Sequence, residues 1–387
     1  MAHEAKPIDG NRPPEVIVAG HVCLDIIPDW GDATADLQTA LAPGALLKIG
    51  PATLTPGGAV SNSGIALHRL GVATRLMGKI GDDPFGQIIL QSFRSIDPAL
   101  SDGMIVSAGE QTSYTIVLNP PNTDRVFLHH SGANDRFDSQ DIDGGKVSGA
   151  RLLHFGYPPV MRRLYSDGGL ELSQIFNLAK SSGLATCMDM TQIDRQSEAA
   201  RVDWLKLLAR VLPHVDLFFP SLDEILFMLG EPAAASEAAP AQTLARIADR
   251  LIDMGSPIVV LKLGESGLYL RTTADAARLQ SIGGRLLADP HEWAGLRMAE
   301  PCFAVDVMGT TGAGDCAIAG FLAALLRGLG PRAAVTAAAA TGACCVEKPD
   351  ATSGVPDWSA LQKRISAGWA RRPVRADATE MEATFKP

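Results

Sequence analysis

The chain has no unbroken apolar run near the ~18 residues that a membrane span needs, and its opening, MAHEAKPIDGNRPP, has no apolar core of signal-peptide length. A soluble, cytoplasmic protein is the expectation. CxxC spacing is also missing. The cysteines Cys23, Cys187, Cys302, Cys316, Cys344 and Cys345 lie scattered in apolar runs, which argues against a zinc site or a disulfide framework and for reduced thiols. An excess of positive charge is absent as well: 34 Lys and Arg stand against 43 Asp and Glu, a formal charge of -9. Nucleic acid and anionic membranes reward clustered positive charge, so neither is an expected partner, and a small molecule is. Two nucleotide-binding patterns are missing too. Gly78-Lys79-Ile80 lacks the earlier glycine and the hydroxyl residue of a Walker A loop, and the first strand runs into VAGHVCLD without Gly-x-Gly-x-x-Gly.

What is present is an alternation. Short β-branched runs at 15–20, 151–156, 185–190, 216–220 and 258–264 are separated by helical patterns such as 59–70, ended by Gly71, and 221–229, ended by Gly230. The pattern predicts an α/β fold, doubly wound, with a mostly parallel sheet covered by helices on both faces. Two stretches break the rhythm. Asp25 to Gly57 is rich in Pro, Gly and Asp, and Thr112 to His130 reads as a hairpin around residues 119–124. Strands leaving the main pattern in this way would form a small sheet over a site. The segment 231–242 reads as a surface loop before a helix at 243–254, and the polar C-terminus as a loose tail or strap.

The chemistry gathers at GTTGAGD, Gly309 to Asp315, ahead of a very apolar helix. Gly312, Ala313 and Gly314 offer unobstructed N–H groups at the positive end of a helix, a cradle for an anion such as phosphate. Asp315 beside bound anionic charge suits a base that takes a proton from an attacking hydroxyl. An Asp before a helix is also an ordinary cap. A second constellation lies far upstream, where Gly57-Gly58 precede a helix and Asn62 follows one turn in; the glycines let backbone approach a ligand, and the amide can donate and accept toward hydroxyls. His129, His130 and His154 have no third ligand at metal spacing, so core or lid histidines are expected. Cys344-Cys345 reads as helix packing.

Together, Gly-Gly-x-x-x-Asn with the following RLG and GKIGDDPFG, then SGAND, LKLGESGLYL and TTGAGD, resemble the signature regions of the ribokinase-like (PfkB) carbohydrate kinase family, over about 15–358. The resemblance implies a single ribokinase-like domain over 15–370, lid strands from about 26–56 and 110–131, and a tail at 371–387. It implies transfer of the γ-phosphate of ATP to a hydroxyl, expected to be primary, of a sugar or sugar-like substrate. Asp315 would be the base and Gly312, Ala313 and Gly314 the anion hole. Asp25, expected to end the first strand, would bind substrate together with Gly57, Gly58 and Asn62, and Lys262, Gly264, Gly267, Ser221 and Glu224 would serve the nucleotide. Glu224 would organise Mg2+, through water, and Thr341 to Pro356 would lie along the adenine pocket. In several members the lid also forms a homodimer interface.

Three positions depart from the family pattern. Gly309 stands where an Asp is usual, which leaves activation by a monovalent cation open. Ser221 replaces an Asn, and Lys262 replaces a Thr common among relatives. A nucleoside kinase of the same family and a non-catalytic sugar or nucleotide sensor remain as alternatives. The identity of the sugar is not written in these motifs.

Overall fold

A computed structural model describes residues 13–30, 42–120, 125–142, 144–232 and 240–372. Its main sheet has the order β14 (Arg297–Glu300), β13 (Leu268–Thr272), β12 (Ile258–Lys262), β11 (Leu217–Phe219), β10 (Ala185–Asp189), β9 (Leu152–Gly156), β1 (Val16–Gly20) and β4 (Thr74–Met77). The strands from β4 to β12 pair in parallel, while β13 and β14 close one edge antiparallel. The near-continuous apolar runs read from the sequence follow from burial on both faces. In β1, Val16 and Val18 face one core, with helices Gly58–Arg69, Ala313–Leu326 and Pro331–Val346, whereas Ile17 and Ala19 face the other, with helices Leu170–Ser181, Trp204–Val211 and Ala241–Asp253.

The irregular stretches supply a second sheet, in the order β3 (Ala52–Gly57), β2 (Cys23–Pro28), β7 (Tyr114–Leu118) and β8 (Val126–His130). The expected hairpin is β7 with β8, paired antiparallel, and its tip, 121–124, lies outside the described residues. A two-stranded ribbon of β5 (Lys79–Gly81) and β6 (Ile105–Ser107) lies apart from both sheets. One expectation needs correction. Asp25 does not end the first strand of the main sheet; Gly20, at φ +119°, turns the chain, and Asp25 falls in β2, paired with Thr55 and Thr115 of the small sheet.

The two faces of the small sheet differ. Asp25, Thr55, Thr115 and His129 form one cross-strand row, and Ile26, Leu54, Ile116 and Leu128 form the next row along, on the opposite face. At the C-terminal end, Trp369 stacks on Phe303 at 4.3 Å and Arg371 bridges to Phe303, so the chain is strapped to the body here; 373–387 lie outside the described residues. The loop expected at 231–242 is described except for 233–239. All six cysteines are free thiols. Among the described residues, no helix is long and apolar enough to cross a membrane.

Candidate active site

Parallel strands β1, β9, β10, β11 and β12 all end at one rim of the sheet, where open α/β folds place their ligands. The side chains at or just past those ends are His21, Tyr157, Asp189, Ser221 and Lys262. Helix Ala313–Leu326 starts at the same rim. Its cap, Gly312, has φ +76°, and a Cβ there would lie 2.6 Å from Ala351 Cβ, so the turn requires glycine. The helix is apolar all round because it is buried between helices Gly58–Arg69 and Pro331–Val346. Its first turn is half-open, which leaves a rigid set of N–H groups facing the cleft.

The two constellations read from the sequence meet here. Asp315, only 2% exposed, accepts through Oδ2 from Asn62 Nδ2 at 3.0 Å and from the Tyr157 hydroxyl at 2.7 Å, and through Oδ1 from Ser63 Oγ at 3.3 Å. Burial pushes its carboxyl above the ordinary range, against the pull of Lys262 and these three donors. Asn62 thus lies beside the candidate base. Tyr157 and Ser63 were not foreseen. Ser63 simply follows Asn62, while Tyr157 is the first residue after a strand that the sequence did reveal. It holds a left-handed backbone, φ +64°, which a non-glycine residue adopts only where its surroundings hold it there.

Gly57 and Gly58 leave space for two side chains of the rim. A Cβ on Gly57 would lie 2.2 Å from Asp25 Oδ2, and one on Gly58 2.5 Å from His21 Nδ1. The missing side chains make room for a carboxylate and an imidazole. Asp25 accepts from Cys23 Sγ at 3.3 Å, and burial pushes its carboxyl up to about 6. His21 sits 5.1 Å from the His129 ring and stacks at 6.1 Å on Tyr157, and neither of its buried ring nitrogens has a hydrogen-bond partner. His129, grouped above with core or lid histidines, lies in β8 of the small sheet; its Nδ1 is 3.0 Å from Thr115 Oγ1.

On the other side of Asp315, Lys262 Nζ reaches across β11 to Asp189 Oδ1 at 2.5 Å, and its stem runs beneath Gly314, 3.3 Å from where a Cβ would stand. Asp189 is fully buried, and its Oδ2 has no hydrogen-bond partner. Burial pushes Asp189 well up, with Lys262 opposing; burial also works against the Lys262 ammonium, but Asp189, Glu224 and Asp315 together hold it charged. Ser221 and Glu224 form a capping box on helix Leu222–Met228, with the Ser221 N–H donating to Glu224 Oε2 at 2.7 Å. Gly264 and Gly267, both at positive φ, flank a single tight turn. Gly309 brings no carboxylate; the Lys348 and Pro349 carbonyls crowd the place its Cβ would take, at 3.2 and 3.1 Å. Within 341–356, the Ala351 carbonyl accepts from Cys316 Sγ at 3.1 Å and from Cys345 Sγ at 3.2 Å, so these thiols brace the turn under Gly312. A residue not foreseen, Arg125 just before β8, donates to Thr310 Oγ1 at 2.6 Å and ties the small sheet to the cradle loop.

Comparison with known proteins follows the same lines. A sequence model of the pfkB family carbohydrate kinases matches residues 16–358. The chain is 25% identical over 364 residues to a probable fructokinase-7 of Arabidopsis thaliana, covering 91% of this chain and 92% of the relative. It is 24% identical over 317 residues to a 2-dehydro-3-deoxygluconokinase of Bacillus subtilis, covering 80% of this chain and 86% of the relative. Among solved structures, ribokinase of Arabidopsis thaliana complexed with ribose and ATP superposes with a TM-score of 0.69 at 18% identity, over 91% of this chain and 98% of that one.

Proposed function

The chain belongs to the pfkB family of carbohydrate kinases, and from that premise we propose that it transfers the γ-phosphoryl group of ATP to a hydroxyl of a sugar or sugar-like substrate, expected to be a primary one. The observation that carries this reading is the meeting of Asp315 with Asn62 at 3.0 Å, directly at the start of a buried helix whose first-turn N–H groups face the same cleft. A base and an anion cradle stand within one helical turn of each other, the combination phosphoryl transfer needs.

In this reading the sugar lies between Asp25 and Asp315. Its reacting hydroxyl takes a place now held by the Tyr157 hydroxyl or Asn62 amide and gives its proton to Asp315. The hydroxyl oxygen forms a bond to the γ-phosphorus as the bond to ADP breaks, so a sugar phosphate and ADP leave. Gly312, Ala313 and Gly314 receive the charge that develops on the phosphoryl oxygens, and Lys262 adds a fixed cation beneath them. Gly264 and Gly267 shape the loop beside the nucleotide phosphates, and 341–356 borders the adenine.

Mg2+ suits this donor set. Among the described residues no three His, Cys, Asp or Glu side chains gather to hold a metal, which fits an ion carried chiefly by phosphates and water rather than by a protein cage. Glu224, half-exposed beside Ser221, would hold it through water, and the ion would neutralise charge on the nucleotide. The lid rests on the cradle loop through Arg125 and excludes water from the acceptor position. The apolar row on its far face, with Leu54 and Leu128 exposed on either side of Ile26 and Ile116, supports a homodimer through the lid, since contiguous exposed apolar surface marks an interface.

The test is ADP release, with mass detection of the product, against a panel of sugars and nucleosides. Sugar-dependent ADP release with a phosphorylated sugar supports the reading. Turnover confined to nucleosides would make the chain a nucleoside kinase, and ligand-induced thermal stabilisation with no ADP release on any compound would make it a sensor.

A further inference from the structure

The acceptor side of the cleft is poor in cations. Among the described residues of the small sheet and its connections, 23–30, 42–57, 110–120 and 125–131, the Lys and Arg residues are Lys48 and Arg125. Lys48 is exposed, and Arg125 is committed to Thr310 on the phosphate side. Lys262, the buried cation at the rim, is held by Asp189 beneath the anion cradle. The side chains gathered on the acceptor side, Asp25, Cys23, Thr115, His21, His129 and Tyr157, include no Lys or Arg.

A sugar acid or sugar phosphate would bring a second negative charge next to Asp25 and Asp315. An anion in a partly desolvated site needs a charge-assisted partner to offset lost hydration. The groups that influence Asp25 are its own burial, Cys23 and Thr115, with no cation among them. The histidines do not supply one. Burial holds both below the ordinary value, His21 well below it with His129 beside it, and His129 with His130 adjacent. Neutral imidazoles at pH 7 donate and accept hydrogen bonds, as a hydroxyl requires. Both His21 nitrogens are buried and unpartnered, a state that a native protein rarely tolerates without a ligand or water to satisfy it.

Resting on the kinase reading above, we infer that the acceptor subsite is built for an uncharged polyhydroxyl substrate and rejects sugar acids and sugar phosphates, with His21 and His129 as its hydroxyl-reading groups. Asp25 accepts from substrate hydroxyls in the same subsite. The inference separates the activities carried by the names of the relatives: a fructokinase acts on a neutral sugar, a 2-dehydro-3-deoxygluconokinase on a sugar acid.

The experiment pairs ADP release with calorimetric binding on the full chain, using D-fructose and D-ribose as neutral probes, 2-dehydro-3-deoxygluconate as an acid and fructose 6-phosphate as a phosphate. The expected result is a neutral probe favoured at least ~100-fold in kcat/KM, or in Kd, over both anions. His129→Arg, which adds the missing cation, should narrow that ratio at least ~10-fold by improving the anions. An anion bound or turned over as well as the neutral sugars would overturn the inference while leaving the kinase reading intact. Neutral probes that bind selectively with no ADP release would uphold the subsite and overturn the kinase reading. Binding of none of the probes would overturn the inference, and an unchanged ratio in a folded His129→Arg protein would remove His129 from it.

Discussion

Burial pushes the Asp25 carboxyl up to about 6, so above that pH the folded protein holds an ionised group where it is disfavoured. A folded-state value above the unfolded one means that the penalty grows as pH rises from about 4 to about 6 and is complete above 6. Asp25→Asn should therefore stabilise the ligand-free protein at pH 8, by an amount on the order of 3 kcal/mol at most, with the gain fading toward pH 4. Urea unfolding at both pH values measures this; equal effects at pH 8 and pH 4 would remove the charge from the account. Tyr157 gives a second prediction. Its hydroxyl favours ionised Asp315, so Tyr157→Phe should raise the carboxyl's pKa and move the acidic limb of the kcat/KM profile to higher pH. An unmoved limb would make Tyr157 a packing residue. At this scale the sequence was legible where a motif spoke: Asp315 and Asn62, singled out from two distant motifs, meet at the rim. Tyr157, Asp189 and His21 stayed hidden, because a lone polar residue after a strand looks the same whether it turns toward a cleft or toward solvent.

The element that sets the geometry is helix Ala313–Leu326, and its position depends on the turn at Gly312. Gly312→Ala forces a side chain into a left-handed conformation and against Ala351, a strain of roughly 1–3 kcal/mol. Unfolding by denaturant should show that loss, and Ala351→Gly in the same chain should recover part of it. A Gly312→Ala protein as stable as the parent would contradict the turn as described. The helices ended by Gly71 and Gly230 appear at Gly58–Arg69 and Leu222–Met228, close to their expected spans, because caps and apolar period mark them in the chain. The place of Asp25 was misread for a physical reason: β2 follows β1 almost directly, and nothing in two adjacent apolar runs tells which sheet each will join. Ser221 and Glu224 show the reverse case, a capping box at residues also expected to serve the nucleotide.

For the whole molecule, the α/β alternation disclosed the doubly wound body, and the two stretches that broke the rhythm disclosed the small sheet. In the proposed reading that sheet is a lid, and its far face is free for a second role. Leu54 and Leu128, 45% and 47% exposed, flank Ile26 and Ile116 in one apolar row. Light scattering after size exclusion should report twice the chain mass, and Leu128→Glu should return it to one chain. A monomer at every concentration up to ~100 μM would remove the dimer, since stable interfaces of standard size hold well below that.

The central claim is that Asp315 takes the proton of the attacking hydroxyl. Its most direct test is the steady-state rate of ATP-dependent sugar phosphorylation by Asp315→Asn, with sugar and ATP binding measured on the same preparation. The account predicts a kcat lowered ~10²–10⁴-fold with both ligands still bound. A kcat near that of the unaltered protein would contradict it.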